Sequence, residues 1–140
     1  MYTIINRGYG LLFCDGYKYL HEDEAEIVSF LDDYAKIVDE ENHYRIDWPF
    51  KQKVNYLQEM DYLESMYSGQ NDEMIAFLGV SNLGWDTSQL SGQEGLIEFA
   101  KKENPTEDEV AEFEEISLEI RNLFLKYNIK PEIFWVESTS

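Results

Sequence analysis

The sequence predicts an α+β fold, a single domain in which a small, mostly antiparallel β-sheet packs against about four helices. Its 140 residues match the length of one domain, and 44% of them are hydrophobic, which is enough material for a core. Short β-rich segments stand near both ends of the chain, and segments of helical periodicity lie between them. Because no repeat or linker interrupts the chain, we expect residues 1–136 to form one acidic α+β domain and residues 137–140 a polar tail.

The N-terminal segment predicts short strands joined by tight turns. Residues 2–5 and 11–13 are rich in strand-forming types, and residues 7–10, which include two glycines, are expected to separate them. Asp15-Gly16 is a strong hairpin signal because both residues tolerate a positive φ. We therefore expect residues 17–20 to pair back onto the preceding strand.

Two helices and a strand are expected next. Apolar residues recur at helical spacing over residues 27–38, and the three acids at residues 22–24 are expected in the first turn of this helix, where they suit its dipole. Residues 44–48 alternate between apolar and polar types, which predicts a half-buried strand. A second helix is expected over residues 49–67, with Gly69 as its stop.

The second half of the chain predicts two further strands and two further helices. Residues 74–80 form a short apolar run that is typical of a buried strand, and residues 82–86 are expected to be a loop. A capping-box spacing opens a short helix over residues 91–100. The last strand is expected over residues 133–136.

The longest predicted helix begins near the C-terminal third of the chain. Thr106 and Glu109 have capping-box spacing, and the apolar stripe continues to Tyr127, followed by Asn128 as a left-handed cap. Acids recur at i, i+4, i+7 and i+11 along this helix, which would give a carboxylate row ~16 Å long. A looser acidic row is expected along the first helix.

Charge is the most informative property of the composition. The chain carries 29 Asp and Glu against 11 Lys and Arg, a net charge of −18. The 15% aromatic content argues against disorder, because acidic disordered chains have few aromatics. Like charges repel, so neither bare nucleic acid nor an anionic membrane is expected as a direct partner. We expect a basic protein partner, such as a nucleic-acid-binding enzyme or nuclease.

The acids are concentrated in three stretches of the chain. Residues 22–47 contain ten acids and two cations, and residues 54–100 contain eight acids and no Lys or Arg. Residues 103–119 contain another eight acids and no cation. A cationic partner would favour such stretches, although a solvated helix face is the ordinary alternative.

Aromatic residues are the expected source of affinity in an acidic binding surface, because Trp and Tyr dominate interface hot spots. Trp85, beside Asp86 in a glycine-containing loop, is the expected exposed anchor, whereas Trp48 and Trp135 are expected in the core. The predicted partner-binding residues are Asp108, Glu112, Glu115 and Glu119 of the last helix, Glu22, Glu26, Asp33 and Glu40 of the first helix, and Trp85 with Asp86.

No catalytic, cofactor or metal site is predicted. Cys14 is the only cysteine, which agrees with a reducing cytoplasm, and the two histidines, His21 and His43, lack zinc-site spacing. The sequence has no EF-hand loop, nucleophile elbow or phosphate-binding glycine loop. It has neither an apolar run of membrane-spanning length nor the pattern of a secretory signal. We therefore expect a cytoplasmic protein that is not an enzyme.

The composition resembles that of small acidic inhibitors that imitate nucleic acid, such as phage anti-CRISPR and anti-restriction proteins. It is also similar to that of immunity proteins that neutralise cationic nuclease toxins. The resemblance is one of composition and does not extend to a residue motif. Together with the carboxylate rows, it leads to the hypothesis of a non-catalytic inhibitor that occupies the basic nucleic-acid-binding cleft of another protein. The alternatives are an immunity protein, a metal- or carboxylate-dependent enzyme, and an acidic scaffold or regulatory subunit.

Overall fold

A computed structural model describes residues 3–16, 18–67, 74–81, 85–86 and 98–139 of the chain. It confirms the predicted α+β fold. The elements in chain order are β1 (Thr3–Asp15), α1 (Ala25–Val38), α2 (Phe50–Glu59), β2 (Glu64–Tyr67), β3 (Met74–Ser81), β4 (Trp85–Asp86), α3 (Glu107–Glu114), α4 (Leu118–Lys126) and β5 (Glu132–Thr139). Residues 98–100 are also helical, whereas residues 91–97 of the predicted short helix lie outside the described part of the chain.

β1 is the central strand of an antiparallel sheet. On one edge it pairs with β3 along residues 8–15 and with β4 at Ile4 and Ile5. On the other edge it pairs with β5 along residues 3–10. β2 lies outside β3, so the sheet runs in the order β2-β3-β1-β5, and β4 continues the β3 side of β1.

The main core joins one face of this sheet to the helices. Leu11 and Phe13 of β1 and Leu78 of β3 belong to one buried cluster with apolar residues of all four named helices. Phe113 of α3 and Phe124 of α4 meet edge to face in this cluster, with ring centroids 5.2 Å apart and an angle of 90° between the rings. Burial of these side chains is the dominant favourable contribution to the fold.

β1 runs without interruption, so the prediction that residues 7–10 separate two strands is wrong. Gly8 lies opposite Phe134 of β5, and a Cβ at Gly8 would overlap the Phe134 ring. Gly10, at φ +153°, faces Gly79 of β3, at φ +151°, and a Cβ on either would overlap the backbone of the facing strand. The glycines therefore serve close packing inside the sheet rather than a turn.

The turn after β1 forms as predicted, but the return strand is short. The side-chain Oδ1 of Asp15 accepts a hydrogen bond from the backbone N–H of Lys18 at 3.0 Å. In the described part of residues 17–20, the return pairing is one antiparallel bridge between Cys14 and Tyr19. Tyr17 lies outside the described residues.

The acids at residues 22–24 precede α1 instead of forming its first turn, so that part of the prediction is wrong. His21 adopts a φ of 71°, and its carbonyl accepts from the N–H of Glu24 at 3.0 Å, which makes a turn. Glu24 is then the N-cap residue, and Glu26 is the acid of the first helical turn.

Residues 44–48 do not form the predicted strand. The backbone N–H of Tyr44 bonds to the side chain of Asp39 at 2.9 Å rather than to a neighbouring strand. The rings of Tyr44, Trp48 and Tyr56 pack together, with centroids 5.3–6.3 Å apart. The alternation therefore reflects an aromatic cluster over α2, and Trp48 is half-buried in it rather than in the main core.

α2 ends at Glu59, eight residues before the predicted end at Tyr67. Asp61 adopts a left-handed φ of 60°, which turns the chain. The apolar residues that continue the helical stripe instead belong to the link and to β2, where Met66 pairs with Ile75.

The predicted longest helix is two helices, α3 and α4. The N–H groups of Glu115 and Ile116 bond to carbonyls three residues back, and Ser117, at φ −42° and ψ 135°, leaves the helical region. Arg121 Nε donates to the carbonyl of Ile116 at 2.9 Å, so this backbone acceptor at the break between the helices has a hydrogen-bond partner. The break lets α3 and α4 pack on each other through their aromatic residues, while Asn128 takes the predicted left-handed conformation at φ 53°.

The apolar run of residues 74–80 forms β3, as predicted. β5 contains the predicted last strand but extends it to Thr139. The residues expected to form a polar tail, 137–139, pair with β1 up to the Thr3–Thr139 pair.

Candidate protein-binding surface

The carboxylate row predicted for the last helix is divided between two elements. Asp108 and Glu112 lie on α3, Glu115 is its C-cap residue, and Glu119 lies in the first turn of α4. All four side chains are exposed. Because α3 ends at Glu114, the expected straight row of four is wrong, and three of the carboxylates remain on one stripe of the helix.

The prediction of an acidic row along the first helix is also wrong. Glu22 precedes α1 and Glu40 follows it, so only Glu26 and Asp33 lie on the helix. Glu22, Glu26 and Glu40 are exposed, whereas Asp33 is half-buried.

Asp33 ties α1 to α4. Its Oδ2 accepts hydrogen bonds from Lys126 Nζ at 2.9 Å and from the Tyr127 hydroxyl, and Lys36 Nζ lies 3.8 Å from Oδ1. The hydrogen bonds from Tyr127 and Lys126 lower the pKa of Asp33 below its usual value. Asp33 is therefore occupied inside the protein, which argues against its predicted role in partner binding.

Trp85 and Asp86 form β4, where their backbones pair with Ile5 and Ile4 of β1. The predicted loop is thus a strand at these two residues. Residues 82–84 and the side chains of Trp85 and Asp86 lie outside what the structure describes, so the anchor role of Trp85 stays a prediction.

A buried ion pair positions α3 on the sheet. Arg7 of β1 has 0% of its side chain exposed, and it donates to both carboxylate oxygens of Glu109, from Nε at 2.9 Å and from Nη2 at 3.0 Å. The same guanidinium donates to the backbone carbonyls of Phe99, Ala100, Lys102 and Asn104. Because a buried guanidinium needs partners for all its donors, Arg7 holds the segment before α3 against β1.

Glu109 also completes the predicted capping box. Its Oε1 accepts from the N–H of Thr106 at 2.9 Å, and the Thr106 hydroxyl oxygen accepts from the N–H of Glu109 at 3.1 Å. Burial alone would raise the pKa of Glu109, but Arg7 and the N–H of Thr106 lower it below its usual value. The first turn of α3 is thus fixed from both sides.

Two other acids are used inside the protein. Asp32 pairs with the buried Lys53 at 2.9 Å and accepts from the Tyr44 hydroxyl at 2.6 Å. Asp39 accepts from the Tyr56 hydroxyl at 2.8 Å. These carboxylates fasten the aromatic cluster and are not available to a partner.

Two surface hollows lie beside Tyr9 and Pro131, and we call them together the α3 groove because the first of them reaches α3. Its first part, the Leu125 hollow, has a volume of about 400 Å³ and is lined by Tyr9, Val110, Phe113, Glu114, Arg121, Phe124, Leu125, Asn128, Ile129, Lys130 and Pro131. Its second part, the Trp135 hollow, has a volume of about 510 Å³ and is lined by Tyr9, Glu103, Pro105, Pro131, Glu132, Ile133 and Trp135. The two hollows share Tyr9 and Pro131, so they are neighbours.

The α3 groove exposes large apolar side chains next to acids. Leu125 is 78% exposed and Trp135 is 36% exposed, so the prediction of a core position for Trp135 is wrong. Trp135 pairs with Arg7 across β1 and β5, which puts it on the α3 side of the sheet, whereas its neighbour Phe134 fills the space beside Gly8.

The acidic stripe of α3 lies on a different side of the helix from the Leu125 hollow. Successive residues of an α-helix advance by about 100°, since it has 3.6 residues per turn. Val110, Phe113 and Glu114, which line the Leu125 hollow, therefore lie on one side of α3, while Asp108, Glu112 and Glu115 lie roughly 100° or more further around the helix axis. No member of this second set forms an ion pair with a described residue.

Tyr9 lies where the two hollows meet. Its ring packs edge to face on Phe113, with centroids 5.5 Å apart. Burial raises the pKa of Tyr9, and the negative charges of Glu109 and Glu114 raise it further. The hydroxyl therefore stays protonated near neutral pH, and the potential around it is negative.

Sequence reasoning identified the acidic stretch of residues 103–119 but missed the groove beside it. Tyr9, Trp135 and Pro131 come from distant parts of the chain, and only the β1–β5 register brings them together. The available signal was the alternation in β5, where Ile133 and Trp135 share one face and Phe134 and Val136 share the other.

Neither a metal cluster nor a membrane-spanning helix occurs in the described ranges. Among those residues no group of three or more His, Cys, Asp or Glu side chains could hold a metal ion. His21 and His43 each pair with one acid, Glu24 at 3.1 Å and Glu41 at 3.6 Å. No helix described by the structure has the length and apolar character that a bilayer crossing requires.

Comparison with known proteins gives no relative from which a role can be transferred. No protein-family model, no curated protein and no solved structure matches this chain.

Proposed function

We propose that this protein is a non-catalytic acidic inhibitor that binds the basic nucleic-acid-binding cleft of another protein, in the manner of anti-CRISPR or anti-restriction nucleic-acid mimics. One observation carries the proposal. Asp108, Glu112 and Glu115 form an exposed stripe on α3 that lacks an ion pair with any described residue, on a chain of net charge −18. Carboxylates steer a cationic partner and set salt sensitivity, whereas apolar and aromatic contacts hold the complex together.

The buried ion pairs do not reduce the surplus charge. Arg7–Glu109 and Lys53–Asp32 are each neutral as pairs. The net charge of −18 is therefore carried by the remainder of the chain. A surface of one sign at this density attracts basic grooves as the phosphate backbone of nucleic acid does.

The proposed mimic is a patch rather than a rod. Asp108, Glu112 and Glu115 form its stripe, and Glu107 and Glu114 lie on the next side of the helix, with Glu114 at the Leu125 hollow. A partner that reads phosphates through Lys and Arg would find carboxylates at this patch. The complex would release counterions on formation, and its affinity would fall as salt rises.

An immunity protein against a cationic nuclease toxin would use the same surface. The two possibilities differ in the partner, because the toxin would be a nuclease that the producing cell itself encodes. A cytoplasmic location is a prediction that rests on Cys14 being the only cysteine, which allows no disulfide within the chain.

The proposal is tested by affinity purification from the native host with a salt-gradient elution. The test variant reverses the stripe, Asp108→Lys with Glu112→Lys and Glu115→Lys. The matched control reverses three other exposed acids, Asp47→Lys with Glu59→Lys and Glu64→Lys, and so changes the net charge equally. We expect the parent and the control to retain a basic protein that elutes at high salt, and the test variant to lose it.

Two results would contradict the proposal. One is a retained partner that is neutral or acidic and indifferent to salt. The other is equal loss of the partner by the test and control variants, which would mean that overall charge, and not the α3 patch, holds it. Circular dichroism of both variants checks that neither result comes from unfolding.

A further inference from the structure

β5 forms one edge of the sheet, and its outer side is open in the described part of the chain. Its residues Glu132 to Thr139 pair one to one with Gly10 to Thr3 of β1. No described residue pairs with the other side of β5. In an antiparallel ladder, the N–H and C=O groups of alternate residues point to opposite neighbours. Half of the residues of β5 therefore direct a donor and an acceptor outward.

β5 lacks the features that usually protect an exposed edge. It is eight residues long, whereas β2, at the opposite edge of the sheet, has four. Its sequence contains no Lys, Pro or Gly, and its pairing with β1 has no bulge. Natural proteins shield edges with short strands, lysines, prolines, bulges or a covering segment, because an open edge pairs with other chains. The geometry of β5 is therefore suited to accept a further strand.

The apolar side chains of β5 keep part of their surface in contact with solvent. Trp135 is 36% exposed, and Ile133, Phe134 and Val136 are half-buried. In the central strand β1, by contrast, Phe13 is fully buried. Because successive side chains alternate between the two faces of a sheet, a strand added to β5 would cover apolar surface on both faces.

We propose that the outer edge of β5 binds an extended segment of the basic partner, which joins the sheet as a further strand. This inference rests on the proposed function for the identity of the partner and states how that partner is held. Backbone hydrogen bonds to β5 would supply affinity, and the alternating side chains of the segment would supply specificity. The α3 patch and the β5 edge would then contact different parts of the partner.

The charge around β5 favours a cationic segment over a second copy of this chain. Exposed acids lie on both faces of the sheet at this edge, since Glu103 lines a hollow with Trp135, and Glu132 shares the other face with Phe134. β5 itself has two acids and no Lys or Arg. Opposite charges on neighbouring strands are stabilising and like charges are destabilising. A second copy would add another net charge of −18, so pairing between two β5 edges is disfavoured.

The probe for this proposal is the blocked peptide acetyl-Lys-Val-Lys-Val-Lys-Val-amide, with the Glu-Val peptide of the same length as its control. Amide hydrogen exchange of the whole chain is followed by NMR. In the free protein we expect slow and fast amides to alternate along β5, because only half of them bond to β1. At a basic-peptide concentration of about ten times its dissociation constant, the fast amides should exchange about tenfold more slowly, since only the free fraction exchanges.

Two proline variants test whether backbone pairing holds the peptide. Trp135→Pro and Val136→Pro remove neighbouring amides, one that faces β1 and one that faces outward. The proline at the fast-exchanging position should leave the protein folded and abolish peptide binding, because edge strands tolerate proline only where the N–H faces solvent. Alanine at that same position keeps the N–H and should retain the peptide.

Three results would overturn strand addition at β5. The first is a set of fast β5 amides that keep their exchange rates at millimolar basic peptide. The second is equal protection by the acidic peptide. The third is protection that appears without peptide and rises with protein concentration, together with a doubled mass in sedimentation, which would make a second copy the occupant.

Failure of this inference and failure of the proposed function are distinguishable. If the basic peptide leaves β5 unchanged while reversal of the α3 stripe still abolishes partner capture, strand addition is wrong and the proposed function stands. If the peptide protects β5 but the parent protein captures no basic protein, the proposed function is wrong and the β5 edge remains a site for cationic extended segments.

Discussion

Arg7 of the central strand and Glu109 of α3 form a buried, two-point ion pair across 102 residues of sequence, with N–O distances of 2.9 and 3.0 Å. This pair is the main polar link between the sheet and the acidic helix. Because Arg7 also holds four backbone carbonyls before α3, it fixes where the acidic stripe and the α3 groove lie relative to β5. The stability of the fold and the geometry of the proposed surface therefore depend on one guanidinium.

Removal of the carboxylate partner is expected to be strongly destabilising. Glu109→Ala leaves the Arg7 charge buried without its counterion, and breaking a buried pair in this way costs about 3–5 kcal/mol. Urea denaturation followed by circular dichroism measures the change in the free energy of unfolding. The control Glu112→Ala, on the exposed side of the same helix, should change it by about 0.5 kcal/mol or less. Similar values for the two variants would show that the pair is not a stabilising link.

The tie between α1 and α4 should appear in the pH dependence of stability. The Asp33 carboxyl titrates near 3.8 in the unfolded chain and at a lower pKa when Tyr127 and Lys126 bond to it. A lowered folded-state pKa contributes stability that is present above the unfolded pKa and is lost as pH falls through the folded pKa. We therefore expect Asp33→Asn to be destabilised at pH 7, and its difference from the parent to shrink as pH falls below 3.8 and through the lowered folded-state pKa. A difference that is independent of pH would contradict this assignment.

Substitution of the glycines of β1 tests whether they are needed for close packing between the strands. Gly10→Ala puts a Cβ against the backbone of β3 at φ +153°, and strain of this kind costs at least about 1–3 kcal/mol. Gly8→Ala meets only the ring of Phe134. Phe134→Leu should therefore partly rescue Gly8→Ala but not Gly10→Ala, as measured by thermal unfolding of the single and double variants. Rescue of both, or of neither, would mean that the two glycines do not have the separate roles assigned to them.

Stability and binding should be separable at the aromatic residues. Phe77 is 1% exposed, and Phe77→Ala is expected to cost about 3–5 kcal/mol of unfolding free energy. Trp135→Ala, at an exposed position, should cost far less although it changes the lining of the Trp135 hollow. Chemical denaturation of both variants makes the comparison. If Trp135→Ala lowers the free energy of unfolding as much as Phe77→Ala does, Trp135 is a core residue and this assignment is wrong.

Features governed by local sequence could be predicted. The capping box of Thr106 and Glu109 needs only residues within one helical turn, and both of its hydrogen bonds form. The apolar run of β3 and the left-handed Asn128 are equally local. Such features follow from backbone chemistry that a single segment contains.

Features that depend on distant residues could not be predicted. The alternation of residues 44–48 indicates a strand, but the Tyr44 N–H is taken by Asp39 and its ring by Trp48 and Tyr56. The apolar stripe through α3 and α4 is compatible with one helix. Two helices form instead, and this allows Phe113 to pack on Phe124. Nothing in the neighbourhood of Arg7 indicates that it would be buried against Glu109.

In the candidate site, too, local features could be predicted and features that depend on distant residues could not. The acidic stretch was visible because charge is counted directly from the sequence, and Asp108, Glu112 and Glu115 keep the helical spacing that predicts a stripe. Asp33 could not be recognised as occupied, since Lys126 and Tyr127 lie more than ninety positions away. The groove depends on the β1–β5 register, which no local pattern specifies.

Competition with nucleic acid for the captured partner tests the central claim most directly. The measurement is the apparent affinity of the partner for this protein at fixed ionic strength, as its own DNA or RNA is added in increasing amounts. We predict that binding of the two is mutually exclusive, so the apparent dissociation constant rises in proportion to nucleic acid and the control Asp47→Lys, Glu59→Lys, Glu64→Lys behaves like the parent. A ternary complex of partner, nucleic acid and this protein, formed without loss of affinity, would contradict it.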